Sequence, residues 1–128
     1  MDIGASAAAS TQQVGDEVRL QDISFEGFTL SSLIFTTTRP LLRGVLTGPS
    51  NQHVVVELRV YMFDSPSATV PMAFVYGNTE LTPPNGTALV HLDNGIQTPY
   101  PSRPVRLDIE YYLHAPTIFG SRTANVPP

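Results

Sequence analysis

The 128-residue sequence contains no cysteine, no tryptophan and no lysine. Without cysteine there is no disulfide framework, no thiolate zinc site and no thiol nucleophile. Without lysine there is no Schiff-base chemistry and no P-loop, whose grip on phosphate uses a lysine. All seven basic residues are arginine. A G+C-rich coding sequence accounts for this, as does selection of a planar, bidentate cation at interfaces. Charge is scarce as well: 14% of residues are charged and the net charge is −4, against about a quarter charged in an average domain. So few cations argue against a general nucleic-acid binder, which must displace counterions from phosphates, and against adhesion to an anionic membrane. No apolar run approaches the roughly 20 residues of a membrane-spanning helix. Met1–Ser10 lacks a basic segment and Ala5–Ala9 is too short for a secretory core, so no export signal is expected and the cytoplasm is the default location. Asp2 excludes N-myristoylation.

What is present points to one folded domain. The length suits a single core that needs neither disulfides nor metal, and 41% of the residues are apolar. The hydrophobic period is two. In His53–Phe63, Val54, Val56, Leu58, Val60 and Met62 share one face, and Val55, Glu57, Arg59, Tyr61 and Phe63 the other. In Val105–His114, Val105, Leu107, Ile109, Tyr111 and Leu113 alternate with Arg106, Asp108, Glu110, Tyr112 and His114. This is the pattern of antiparallel strands wetted on one side. Further strands are expected in Val18–Phe25, Phe28–Thr37, Leu41–Leu46, Val70–Tyr76 and Thr87–Leu92, with another at Thr117–Phe119. Val18–Phe25 and Phe28–Thr37 each carry a one-residue phase slip, the mark of a β-bulge. Gly48-Pro49-Ser50-Asn51, Asp64-Ser65-Pro66, Gly77-Asn78, Pro83-Pro84-Asn85-Gly86 and Asp93-Asn94-Gly95 carry turn chemistry. Twelve prolines leave no room for a long helix.

These observations predict an all-β chain, an antiparallel β-sandwich of seven or eight strands, jelly-roll or immunoglobulin-like. The sandwich is expected over 16–119. Residues 1–15 and 120–128, rich in small and polar residues or proline, read as flexible arms.

The residues offer little catalytic material. Asp108 and Glu110, two apart on one strand, point to one face, as a pair of glycosidase carboxylates does; Arg106 and neighbouring groups account for them equally as a charge ladder. His53, His91 and His114 lie in no metal-binding spacing. No G-x-S-x-G elbow is present. Asp93-Asn94-Gly95 lacks the later acids of a calcium loop, and Asn85-Gly86-Thr87 matches a glycosylation acceptor that also reads as a turn. No catalytic residue, no metal site and no cofactor is therefore expected. Tyr61, Phe63 and Tyr112 are aromatics on nominally polar faces. They suit a protein–protein interface, a sugar-stacking platform formed with Tyr100, or packing under a further layer.

Short strands such as Phe28–Thr37, His53–Phe63 and Val105–His114, flanked by the segments Met1–Gly15 and Gly120–Pro128, resemble the small β-sandwich structural proteins of virus and phage particles: capsid surface, decoration or cement, and fibre subunits. The resemblance is one of architecture. It implies a non-enzymatic subunit of a virion that binds itself or other capsid proteins, with neither nucleic acid nor membrane as partner. Residues 1–15 carry no basic side chain, which favours an outer, decorating role over genome contact. The expected interface residues are Arg59, Tyr61, Phe63 and Tyr112. The alternative is a carbohydrate-binding or adhesion module using the same aromatic face.

Overall fold

Alternating apolar residues stabilise a sheet only when a second layer covers the apolar face. The computed structural model, which describes residues 17–36, 40–94, 102–114 and 117–127, supplies that layer from the chain itself. Among the described residues there are nine strands and no helix: β1 (Glu17–Arg19), β2 (Ile23–Phe25), β3 (Phe28–Thr36), β4 (Leu42–Thr47), β5 (Val54–Phe63), β6 (Ala73–Leu81), β7 (Thr87–Leu92), β8 (Arg106–His114) and β9 (Ile118–Asn125). They form two antiparallel sheets. One runs β1-β3-β4-β7, with β2 also pairing β3; the other runs β6-β5-β8-β9. The fold is a β-sandwich, as the alternation predicts.

Strand order resolves what strand count leaves open. β4 and β7 are neighbours in one sheet, β5 and β8 in the other, and the connections β4–β5 and β7–β8 cross between sheets. This interlocked arrangement is that of immunoglobulin-like sandwiches. The buried tryptophan and inter-sheet disulfide of antibody domains have no counterpart here. Apolar residues fill the interior: Val56, Leu58, Val60, Met62, Leu107 and Ile109 from one sheet meet Leu30, Leu33, Phe35, Leu42, Leu46 and Leu92 from the other. Each such side chain contributes about 1.5–3 kcal/mol when buried.

The two phase slips fall opposite each other. β1 and β2 lie along the same side of β3, with Val18 opposite Phe35 and Ile23 opposite Leu30. The kink between them faces the kink in β3, where the register to β4 shifts between Ser31 and Ile34. Ser32 takes φ 52° there. A Cβ on Gly44, across from the kink, would come within 2.9 Å of the Ser31 carbonyl oxygen, so this position of β4 has no room for a side chain.

Two expectations are corrected. Gly77-Asn78 is not a turn but the middle of β6, which runs on to Leu81. Residues 120–125 are not an arm: they form most of β9, an eight-residue strand on the edge of the second sheet. Residues 1–15 lie outside the described residues.

The two long sides of the sandwich differ. On one, Tyr76 and Asp93 exchange backbone bonds of 3.0 and 3.3 Å, stitching β6 to the end of β7. On the other, no ladder joins β9 to β1 or β2. A cleft opens there between Arg19–Ile23 and Thr123–Pro127.

Candidate functional site

The register of the second sheet fixes what its outer face presents. Tyr76, Arg59, Glu110 and Ser121 form one cross-strand row; Phe74, Tyr61, Asp108 and Thr123 form the next; Asn78, Glu57, Tyr112 and Phe119 flank the first on its other side. Aromatic rings thus lie at both ends of the face with charged groups between them.

Phe74 and Tyr76, 44% and 52% exposed, have ring centroids 5.8 Å apart with planes at 25°. At that separation the two rings, near parallel, stand beside each other with little overlap of their faces. Tyr61 joins them with its ring 6.1 Å from that of Phe74. At the other end Tyr112 stacks on Phe119 at 6.0 Å, and Phe119 is 73% exposed. Arg59 bridges the clusters: its guanidinium carbon stands 5.5 Å from the centre of the Tyr112 ring, and Tyr76 is its cross-strand neighbour. Arg59, Tyr61 and Tyr112 thus fall on one exposed face.

Phe63 shares the parity of Tyr61 but is only 6% exposed. The Arg106 guanidinium lies 3.9 Å from its ring centre, donates to the Pro66 and Ala68 carbonyl oxygens and reaches Asp108 Oδ1 at 3.2 Å. Arg106 so pins the connection after β5 across the Phe63 ring. Phe63 works as the floor of that clasp and offers no surface to a partner in this conformation.

The carboxylate pair lies open on the sheet. Asp108 accepts from Arg106 and from Thr123 Oγ1 at 3.4 Å, and Glu110 from the Tyr61 hydroxyl at 3.3 Å. The cleft beside β9 includes neither carboxylate. Each histidine faces an acid on the surface, His53 with Glu80, His91 with Asp93 and His114 with Glu57. No group of three or more metal-ligating side chains occurs among the described residues.

One ionisable group beneath the other face is perturbed. The Tyr111 ring is buried against Phe25, centroids 4.4 Å apart, while its hydroxyl donates to Glu26 Oε2 at 2.8 Å. Burial above all, then the bond to Glu26, raises its pKa above the ordinary 10.0, opposed by the Arg122 cation. Arg122 also donates to the Ser24 carbonyl oxygen across the open side.

Alternation in the sequence finds Tyr61 and Tyr112. It misses Phe74, because the turn assigned at Gly77-Asn78 hides the longer pattern in which Phe74, Tyr76, Asn78 and Glu80 share a face. Tyr100, the third ring of the sugar platform, lies outside the described residues. No helix among the described residues is long and apolar enough to cross a membrane. No protein-family model, no curated protein and no solved structure matches this chain.

Proposed function

We propose that this domain is a non-enzymatic structural protein that assembles through protein–protein contacts made by the outer face of the β6-β5-β8-β9 sheet. The observation that carries the reading is the exposed aromatic and arginine array of Tyr61, Phe74, Tyr76, Arg59, Tyr112 and Phe119. Clustered exposed aromatic side chains, unlike scattered single ones, point to a contact site. Tyrosine, phenylalanine and arginine are enriched at such sites because they bury much area at little conformational cost. The partner is another copy of the chain or another subunit of the same particle. The architectural resemblance is the ground for reading that particle as a virus or phage capsid, with the domain as a surface or decoration subunit.

The spread of the rings favours this reading over a sugar-binding module. Phe74, Tyr76 and Tyr61 lie toward one end of the face and Tyr112 and Phe119 toward the other, with Arg59, Glu110 and Asp108 between. A sugar needs one compact stacking platform, whereas a mixed aromatic and charged face suits a protein surface.

The test is molar mass by light scattering across a concentration series, for the wild type and for Phe74→Ser/Tyr76→Ser. The expected result is a defined oligomer that the double variant weakens at least roughly tenfold while its melting temperature is kept, since both side chains project outward. A double variant of unchanged mass, together with binding of the wild type on a glycan array, would overturn the reading in favour of the sugar module.

A further inference from the structure

The chain carries five asparagines, Asn51, Asn78, Asn85, Asn94 and Asn125, and two of them, Asn85 and Asn94, precede glycine. Asparagine is among the chemically labile residues, and an Asn-Gly pair reacts with itself. The glycine nitrogen is the nucleophile and the asparagine side-chain carbonyl carbon the electrophile. Glycine has no Cβ to hinder their approach. The surrounding structure decides whether the reaction runs. The side chain has to be free to turn, the glycine N–H has to be uncommitted, and water has to reach both.

Asn85 meets all three conditions. It lies exposed in the connection from β6 to β7. Its backbone N–H donates to the Thr82 carbonyl oxygen at 2.9 Å, but its carboxamide has no hydrogen-bond partner among the described residues. Gly86 accepts from the Gly48 N–H at 2.8 Å. Its own N–H donates to no group among the described residues, since the β7 ladder starts one residue later at Thr87. A Cβ on Gly86 would stand 2.8 Å from the Gly48 carbonyl oxygen and 3.2 Å from Ser50 Cβ, so the fold itself holds this position as glycine. The other asparagines differ. Asn94 donates its amide to the Phe74 carbonyl oxygen at 2.8 Å. Asn125 precedes Val126, whose N–H is given to the Val105 carbonyl oxygen. Asn78 sits inside β6, paired with Glu57.

We propose that Asn85 is a self-modifying site, at which the folded domain converts its own β6–β7 turn to aspartate and isoaspartate. The Gly86 nitrogen attacks Asn85 Cγ and gives its proton to solvent. The new C–N bond closes a five-membered succinimide, and the side-chain nitrogen takes up a proton and leaves as ammonia. Water then opens the ring at either carbonyl. One opening gives aspartate; the other gives isoaspartate, in which the main chain runs through the former side chain. Water is the only co-reactant. Either product adds a carboxylate to a chain whose net charge is already −4. Isoaspartate also lengthens the backbone by one carbon just where the Gly48–Gly86 bond extends the β4–β7 ladder. The step does not reverse in water, so the converted fraction records the age of the molecule. This holds whatever the aromatic face binds.

The two Asn-Gly pairs test the proposal against each other, because they share a motif and differ in structure. The wild-type protein is aged in mildly alkaline buffer, folded and in concentrated urea. Peptide mapping by mass spectrometry follows each asparagine through the small mass gain of an amide becoming an acid. An isoaspartyl methyltransferase with a labelled methyl donor counts the isoaspartate. In the folded protein Asn85 should convert roughly tenfold faster than Asn94, about the factor that one retained hydrogen bond at the Asn94 amide is worth. In urea the two rates should converge. Asn85→Gln removes an exposed, unpartnered side chain, so it should keep the melting temperature and abolish the methyltransferase signal of the folded protein. Folded Asn94 converting as fast as Asn85 would overturn the proposal, because the motif alone would then set the rate. So would an Asn85 that converts only in urea, or a methyltransferase signal that survives in folded Asn85→Gln.

Discussion

Replacing Gly120 by alanine tests how the open side of the sandwich is packed. A Cβ built on Gly120 would stand 2.3 Å from the Tyr111 hydroxyl oxygen and 2.6 Å from the ring carbon that bears it. The backbone of β9 is held by its ladder to β8, so the tyrosine has to move. Moving it loosens the stack on Phe25, worth about 0.5–1.5 kcal/mol, and breaks the hydroxyl bond to Glu26, a charged acceptor worth about 1.5–3 kcal/mol and toward the low end at this exposed carboxylate. Against this stands about 0.4–1 kcal/mol from the stiffer unfolded chain. The net expectation is a loss of about 1–3 kcal/mol, read as a lower midpoint in urea with unchanged slope and a melting temperature lower by roughly 3–15 °C. The cycle partner is Tyr111→Ala, which is itself destabilising. In that background Gly120→Ala should be neutral or stabilising, because the atom it strikes is gone. Gly120→Ala within about 0.5 kcal/mol of the wild type would refute the reasoning, and so would an equal cost in both backgrounds.

Two further predictions concern the arginine clasp and the buried phenol. Arg106→Ala should cost about 2–3 kcal/mol and open the connection 64–70 to limited proteolysis, since it removes the cover of Phe63 and the donors to Pro66 and Ala68 together; Arg106→Lys should not restore protection, because an ammonium neither stacks on the ring nor forks to several acceptors. Because the folded pKa of Tyr111 lies above 10.0, its neutral form contributes stability that is complete below that pH and is lost as pH rises through the folded value. Tyr111→Phe should therefore lose less stability than the wild type between pH 8 and pH 11, measured by urea midpoints; equal losses would show that the phenol does not carry the alkaline limb.

Legibility in the sequence followed local pattern. β5 and β8 could be read because each alternates without interruption and each has one fully apolar face. The opposed kinks in β1–β2 and β3 could be read for the same reason, as phase slips. β6 was displaced because Gly77-Asn78 has the chemistry of a turn. In the fold, Gly77 is there because the His91 carbonyl oxygen and Leu92 Cδ2 come within 2.9 Å of where its Cβ would be, a tertiary fact that no local rule contains. β9 was hidden because Gly120-Ser121-Arg122-Thr123 has no apolar alternation; it is a strand because β8 pairs with it. The site behaved similarly. Parity placed Tyr61, Arg59 and Tyr112 on one face, but the covering of Phe63 depends on Arg106 and on carbonyls 40 and 38 residues away.

The sandwich is closed differently on its two long sides. Backbone bonds between Tyr76 and Asp93 close one; on the other, Arg122 crosses from β9 and donates to the Ser121 and Ser24 carbonyl oxygens. A seam of backbone bonds gives way only with the strands that make it, whereas a side-chain clasp opens by rotation about a few bonds. Separation of the two sheets would therefore begin at Arg122, with the Tyr76–Asp93 side as its hinge.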